Sequence, residues 1–218
     1  MKITKITPQK YRNEYITISF EDGQTLKSHQ AIERAHKLEV NQEVSLQLLE
    51  ELRGEEELRE AMEYATLSLS LKDRSVDELT QKLRGRKFSM PTIHIVLDQL
   101  KTRNLMSDAA FAKNYVESKL ETRSSEKVKE ELTQKGVQEE IIEEALKNVE
   151  EENKEIPSEE ERAFQLLLKR AQQIRAPDSR TLYRRLYDFL SRRGFEQEII
   201  EGAFRRYKKI GGSDEPTE

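Results

Sequence analysis

The stretch LTQKLRGRKFSMPTIHIVL, residues 79–97, sets a pattern that returns twice more in the chain. Within it Leu79, Leu83, Phe88, Ile93 and Leu97 stand at offsets 0, 4, 9, 14 and 18. Val128, Leu132, Val137, Ile142 and Leu146 repeat those offsets without a slip, as do Leu186, Leu190, Phe195, Ile200 and Phe204. Steps of 4 fit one face of an α-helix, and the two steps of 5 bracket a short turn. Gly136 and Gly194 directly precede Val137 and Phe195, where a left-handed residue ends a helix. Each copy reads as two helices joined by a tight corner.

A further helix precedes each copy. Leu58, Ala61, Met62, Tyr64, Ala65 and Leu69 recur at helical spacing up to Leu71, and Asp73-Arg74-Ser75 ends that run and starts the next. Met90-Pro91 opens the third helix, whose stripe is Ile93, Val96, Leu97 and Leu100. The second repeat begins with a helix carrying Ala109, Phe111, Ala112, Tyr115, Val116 and Leu120, after which Ser124 and Ser125 restart the chain. Third-repeat helices are expected over residues 159–175, 178–193 and 196–209, with Pro157 and Pro177 marking the first two starts.

The N-terminal residues read differently. Residues 15–20 are β-branched, aromatic or polar and run into Asp22-Gly23, a hairpin turn, so a partner strand should start near Gln24. Residues 2–7 allow a third strand, and Pro8 demotes anything further to a loop or edge. Ser28 is the expected cap of a short helix reaching Lys37, with Ile32 and Leu38 as its apolar contacts. Ser45 is the expected cap of a second short helix ending at Leu52, with a hinge near Gly54.

The fold class is therefore mostly α: three tandem three-helix repeats forming an elongated curved array, preceded by a small β-hairpin and helix block. The expected divisions are 1–54 for that block, 55–106 and 107–156 for the first two repeats, 157–210 for a basic third repeat, and 211–218 for a disordered tail. Charged residues at 37% and hydrophobic ones at 35% suit thin helical layers, each burying one stripe. With no cysteine, disulfides and thiolate metal sites are excluded. No run of 18 apolar residues occurs, and the expectation is a soluble cytoplasmic monomer without membrane contact.

Charge is unevenly spread. Residues 139–161 hold eleven Glu against Lys147 and Lys154, whereas residues 162–209 hold thirteen Lys or Arg against five acids. The acidic run reads as a solvated helix face or linker. The alternative is a self-screening contact with the basic module beside it that competes with an anionic partner. Arg84, Arg86 and Lys87 crowd the first corner. Arg184, Arg185, Arg192 and Arg193 lie in the third repeat's middle helix, with Arg205, Arg206, Lys208 and Lys209 in its last. At helical spacing Arg185, Arg192 and Arg193 share a face, and Tyr183 and Tyr187 interleave them. Basic residues beside aromatics hold phosphates and stack bases, so an anionic partner is expected. His29, His36 and His94 are scattered and no catalytic or metal-binding motif occurs. The reading is a non-enzyme with no cofactor and no metal.

The chain resembles the RecX regulatory family. The resemblance rests on Arg74-Ser75, Glu78-Leu79 and Lys82-Leu83 in the first repeat, and on Leu105, Asp108, Phe111-Ala112 and Tyr115-Val116 at the junction. Glu131-Leu132 and Lys135-Gly136-Val137 continue it in the second. Lys87 and Asn104 stand where the pattern favours glycine, and Arg123-Ser124-Ser125 replaces a Gly-Pro. The resemblance implies a modulator of the RecA recombinase, bound in the groove of its filament on single-stranded DNA and inhibiting ATP hydrolysis and strand exchange. The alternative is a protein that binds DNA directly through its basic third repeat. Against it, the first 138 residues hold 23 basic and 23 acidic side chains and so carry no broad phosphate footprint.

Overall fold

A computed structural model describes residues 1–10, 12–152 and 157–211. It is mostly helical: among the described residues, ten helices follow a three-stranded antiparallel sheet. The chain divides into two compact units, residues 1–74 with 79–105, and residues 75–78 with 106 onward. The tail expected at 211–218 lies, beyond Gly211, outside the described residues.

In the first unit the sheet runs in the order β1 (Ile3–Gln9), β2 (Arg12–Phe20), β3 (Thr25–His29). Ile16, Ile18 and Phe20 alternate onto one face of β2 and bury against Ile3, Leu26, Ile32 and Leu38. Gly23 takes φ 83° in the turn, and the Gln24 N–H donates to the Asp22 carboxylate at 3.0 Å. Pro8 sits on β1, an edge strand, where its missing N–H costs no ladder bond on the outer side.

Two expectations for this block are corrected. Ser28 does not cap α1 (Gln30–His36), because it is still paired with Ile16 in the β2–β3 ladder and is buried there. The cap passes to His29, whose Nδ1 accepts from the Ala31 N–H at 3.0 Å. Ser45 does cap the next helix, α2, but that helix runs over Leu46–Leu71 without stopping at Leu52. An interior glycine costs a helix about 1 kcal/mol, and Gly54 is flanked by good helix formers with Leu49, Leu52, Glu56, Ala61 and Ala65 buried along one face. The boundary expected at 54 thus lies inside a helix.

A polar lock joins α2 to the sheet. The buried Glu56 carboxylate accepts from the His29 N–H and pairs with Arg59, both at 2.7 Å. Arg59 also donates to the Tyr15 hydroxyl and lies over the Tyr15 ring. Burial pushes the Arg59 pKa down, but the hydrogen bonds and charges of Glu56 and Tyr15 outweigh it and raise it.

The remaining helices are α3 (Val76–Gly85), α4 (Met90–Thr102), α5 (Asp108–Lys119), α6 (Ser125–Gln134), α7 (Glu139–Glu152), α8 (Glu159–Gln173), α9 (Ser179–Ser191) and α10 (Gln197–Lys209). The first helix of each triplet packs on the third: α2 on α4, α5 on α7, α8 on α10. Every repeat position is buried except Phe88, which is half-buried.

The corners explain the two steps of five. In the second repeat the Val137 N–H reaches the Leu132 carbonyl at 3.2 Å while the Gly136 N–H reaches Thr133 at 2.9 Å. The same pair recurs as Phe88 to Leu83 with Lys87 to Arg84, and as Phe195 to Leu190 with Gly194 to Ser191. This is the Schellman ending, in which the two bonded residues also touch through apolar side chains. The second step runs from the residue before the N-cap to the fourth helical residue, as from Phe88 across Ser89 to Ile93. That spacing is a hydrophobic staple. One apolar side chain therefore closes one helix and opens the next. Lys87, Gly136 and Gly194 all adopt positive φ, at 68°, 74° and 85°.

Candidate functional site

The side chains proposed for partner contact fall in two places. Arg84, Arg86 and Lys87 are exposed at the α3–α4 corner of the first unit, with the Arg86 guanidinium 4.7 Å from the Tyr64 ring centroid. The others lie in the third repeat, within the second unit.

There the C-terminal end of α8 and one face of α9 form an open cradle of about 410 Å³. Arg170 and Arg175 come from the α8 side, and Arg185 and Arg192 from α9. Among the described residues Asp188 is the one acidic side chain in its lining. The four- and seven-residue spacings put Arg185, Asp188, Phe189 and Arg192 on one face of α9. Arg185 is held by a 3.0 Å hydrogen bond to the Arg175 carbonyl, which fixes its guanidinium at the rim.

Phe189 forms the floor between cations. The Arg193 guanidinium lies 3.6 Å from its ring centroid and that of Arg170 lies 5.3 Å away. Arg193 also donates to the Phe189 carbonyl at 3.2 Å. Burial pushes the Arg193 pKa down, and the nearby charges of Arg170, Arg123 and Arg192 push it further. Among the described residues the Arg170 Nε is buried without a hydrogen-bond partner.

Of the residues picked from sequence, Arg185, Arg192 and Arg193 do share this region. Arg184 is exposed on α9 but does not line the cradle, and Arg205 is exposed on α10. Arg206 is committed elsewhere, to Glu161 at 2.7 Å and to the Phe164 ring at 4.1 Å. That pair does tie the acidic run to the basic module, and it holds the Glu161 carboxyl below its ordinary value. Tyr183 and Tyr187 do not interleave the arginines. They pack with each other and onto the third-repeat core, Tyr183 at 4.4 Å from the Phe204 ring. Arg170, Arg175 and Phe189 were missed. Phe189 stands three positions after Leu186 and one before Leu190, where it reads as core, and Arg170 and Arg175 join only once α8 folds onto α9.

The side chains that carry the family resemblance are joints between helices. The Ser75 hydroxyl donates to the Lys135 carbonyl, the Val76 N–H donates to Asp108 at 2.9 Å, and Lys135 pairs with Glu78 at 2.7 Å. The Tyr115 hydroxyl donates to Glu131 at 2.7 Å, and Arg123 pairs with the same carboxylate. Among the described residues no group of three or more His, Cys, Asp or Glu is placed to hold a metal ion, and no helix is long and apolar enough to cross a membrane.

Fold and cradle together define a tandem three-helix-repeat protein whose third repeat carries an arginine-lined concavity. Residues 107–146 match the second three-helix domain of RecX and residues 158–204 the third. A regulatory protein RecX of Amycolatopsis mediterranei is 34% identical over 163 residues, which span 72% of this chain and 90% of that one. One from Clostridium beijerinckii is 28% identical across 98% of this chain and 99% of its own. A crystal structure of regulatory protein RecX superposes with a TM-score of 0.62 at 22% identity, over 94% of this chain and 98% of that one. RecX from Lactobacillus salivarius gives 0.55 at 22% identity, over 71% and 98%. The chain belongs to the RecX regulatory protein family.

Proposed function

We propose that this protein regulates the RecA recombinase, docking along the groove of the RecA filament on single-stranded DNA and slowing ATP hydrolysis and strand exchange. Membership of the RecX family supports the reading: its relatives are named regulatory proteins, and the resemblance implies that RecA is what they regulate. The observation that carries it to a surface is the third repeat's arginine-lined cradle. A charge-complementary contact of this kind forms fast, reverses readily and weakens with salt. In this reading the protein works as a cytoplasmic monomer and holds neighbouring filament subunits against the motions of ATP turnover.

The test is RecA's DNA-dependent ATPase with wild-type protein and with Arg184→Glu/Arg185→Glu/Arg192→Glu. Arg193 is left in place because it packs on Phe189. The expected result is inhibition by wild type well below RecA's concentration and its loss in the triple variant. Full inhibition by a triple variant of unchanged circular dichroism would remove the third repeat from the contact. The second reading, direct DNA binding, is favoured by the same charge. Tight, salt-sensitive binding to bare DNA with no effect on RecA would establish it instead.

A further inference from the structure

We infer that the α8–α9 cradle is a built site for a chain of linked phosphate groups, rather than a patch of solvated surface charge. Three features separate it from an ordinary basic face. Its about 410 Å³ concavity has the size of a small-ligand pocket. Arg170, Arg175, Arg185 and Arg192 line it against a single carboxylate, that of Asp188. Its cations are also partly ordered in advance: Arg185 by the Arg175 carbonyl and Arg170 by the Phe189 ring. Pre-ordering lowers the entropy that a ligand must overcome to engage long side chains.

The chemistry of the lining selects the ligand class. Guanidinium groups bind phosphate oxygens through paired, charge-assisted hydrogen bonds. Four guanidinium groups around one concavity match a ligand that carries several linked negative charges rather than one. Phe189 offers no free stacking platform, since cations already lie against it. The cradle therefore reads phosphate and not base. Two sources share this chemistry, a free oligophosphate and the phosphodiester backbone of a strand. The inference is independent of RecA, because it concerns this chain alone.

Calorimetric titration of the full chain at fixed ionic strength tests it, with inorganic tripolyphosphate, orthophosphate and an oligothymidine strand as probes. Tripolyphosphate is expected to bind one per chain, about tenfold or more tighter than orthophosphate, and to weaken by about tenfold or more in Arg185→Gln/Arg192→Gln. Arg205→Gln/Lys209→Gln removes as much charge from exposed α10 positions and should leave it unchanged. Displacement of tripolyphosphate by the strand would assign the site to a nucleic-acid backbone, and failure to displace it would assign a free oligophosphate. Equal weakening in both double variants, or equal affinity for the two inorganic anions, would show diffuse surface charge and overturn the inference.

Discussion

Gly136 stands so close to Asp77 that a Cβ built on the glycine would lie 2.4 Å from the aspartate's own Cβ. The third corner repeats the relationship, with a Cβ on Gly194 falling 2.5 Å from the Lys127 Cβ and 2.6 Å from the Ser124 hydroxyl. Each of these corners is pressed onto the first turn of the middle helix one triplet earlier. The Ser75 hydroxyl meets the Lys135 carbonyl, and the Ser124 N–H meets the Arg193 carbonyl at 3.0 Å. Glycine serves there twice over, for its positive φ and for the absence of a side chain.

Gly136→Ala should therefore destabilise by more than the about 1–2 kcal/mol that a left-handed backbone alone costs an L-residue, because Asp77 blocks the added methyl with its Cβ. Gly194→Ala should behave likewise. Gly85→Ala is the control: the glycine has no positive φ and nothing lies within 4 Å of its Cβ position, so alanine should be neutral or slightly stabilising. Urea midpoints for the three variants decide. Equal midpoints for Gly85→Ala and Gly136→Ala would refute the interlock.

Lys87 occupies the same left-handed corner position in the first repeat, at φ 68°. Among the described residues no triplet lies before it, its side chain is exposed, and a Cβ is tolerated. Only the backbone strain remains. Lys87→Gly should accordingly stabilise by about 1 kcal/mol, read as a rise in urea midpoint, whereas the same glycine in the other two corners is already required.

How much of this was legible follows from the range of each interaction. The 0-4-9-14-18 spacing showed in the sequence because both the helix ending and the staple act between residues at most five apart. The Asp22-Gly23 turn showed for the same reason. The cap at His29 did not, because Ser28 is held in a ladder by Ile16, twelve residues away in sequence. The cradle was half visible: α9's periodicity aligned Arg185 with Arg192, but Arg170 and Arg175 enter only through the packing of α8. Arg206 looked available because its partner Glu161 lies 45 residues earlier.

The unbroken course of α2 through Gly54 gives a further expectation. Gly54 is exposed, with nothing within 4 Å of its Cβ position. Gly54→Ala should stabilise by about 0.5–1 kcal/mol through the lower entropy of the unfolded chain. On the proposed reading, this variant should act on RecA's ATPase as wild type does if α2 acts as one rod. A difference between wild type and this more stable variant in that assay would mean that bending at Gly54 matters to the proposed function.

Glu57 on α2 caps the start of α4. Its carboxylate accepts from the Ser89 N–H, and from the Ser89 and Thr92 hydroxyls at 3.0 Å each. Burial pushes this carboxyl's pKa up, but hydrogen bonds from the Ser89 N–H, the Thr92 hydroxyl and the Ser89 hydroxyl outweigh it and hold it below its ordinary 4.5. A carboxyl depressed in the folded state contributes stability above its unfolded value and loses it as pH falls through the folded one. Glu57→Gln keeps an acceptor but removes the charge and the titration. The gap in urea midpoint between wild type and Glu57→Gln should therefore be widest near neutrality, narrow as pH drops below about 4.5, and close once the folded-state carboxyl is protonated. Glu161 and Asp178, also depressed by their hydrogen bonds, titrate alike in both proteins and cancel in the difference. A gap that stays constant from pH 7 to pH 3 would show that the cap works through neutral hydrogen bonding, with no contribution from the charge.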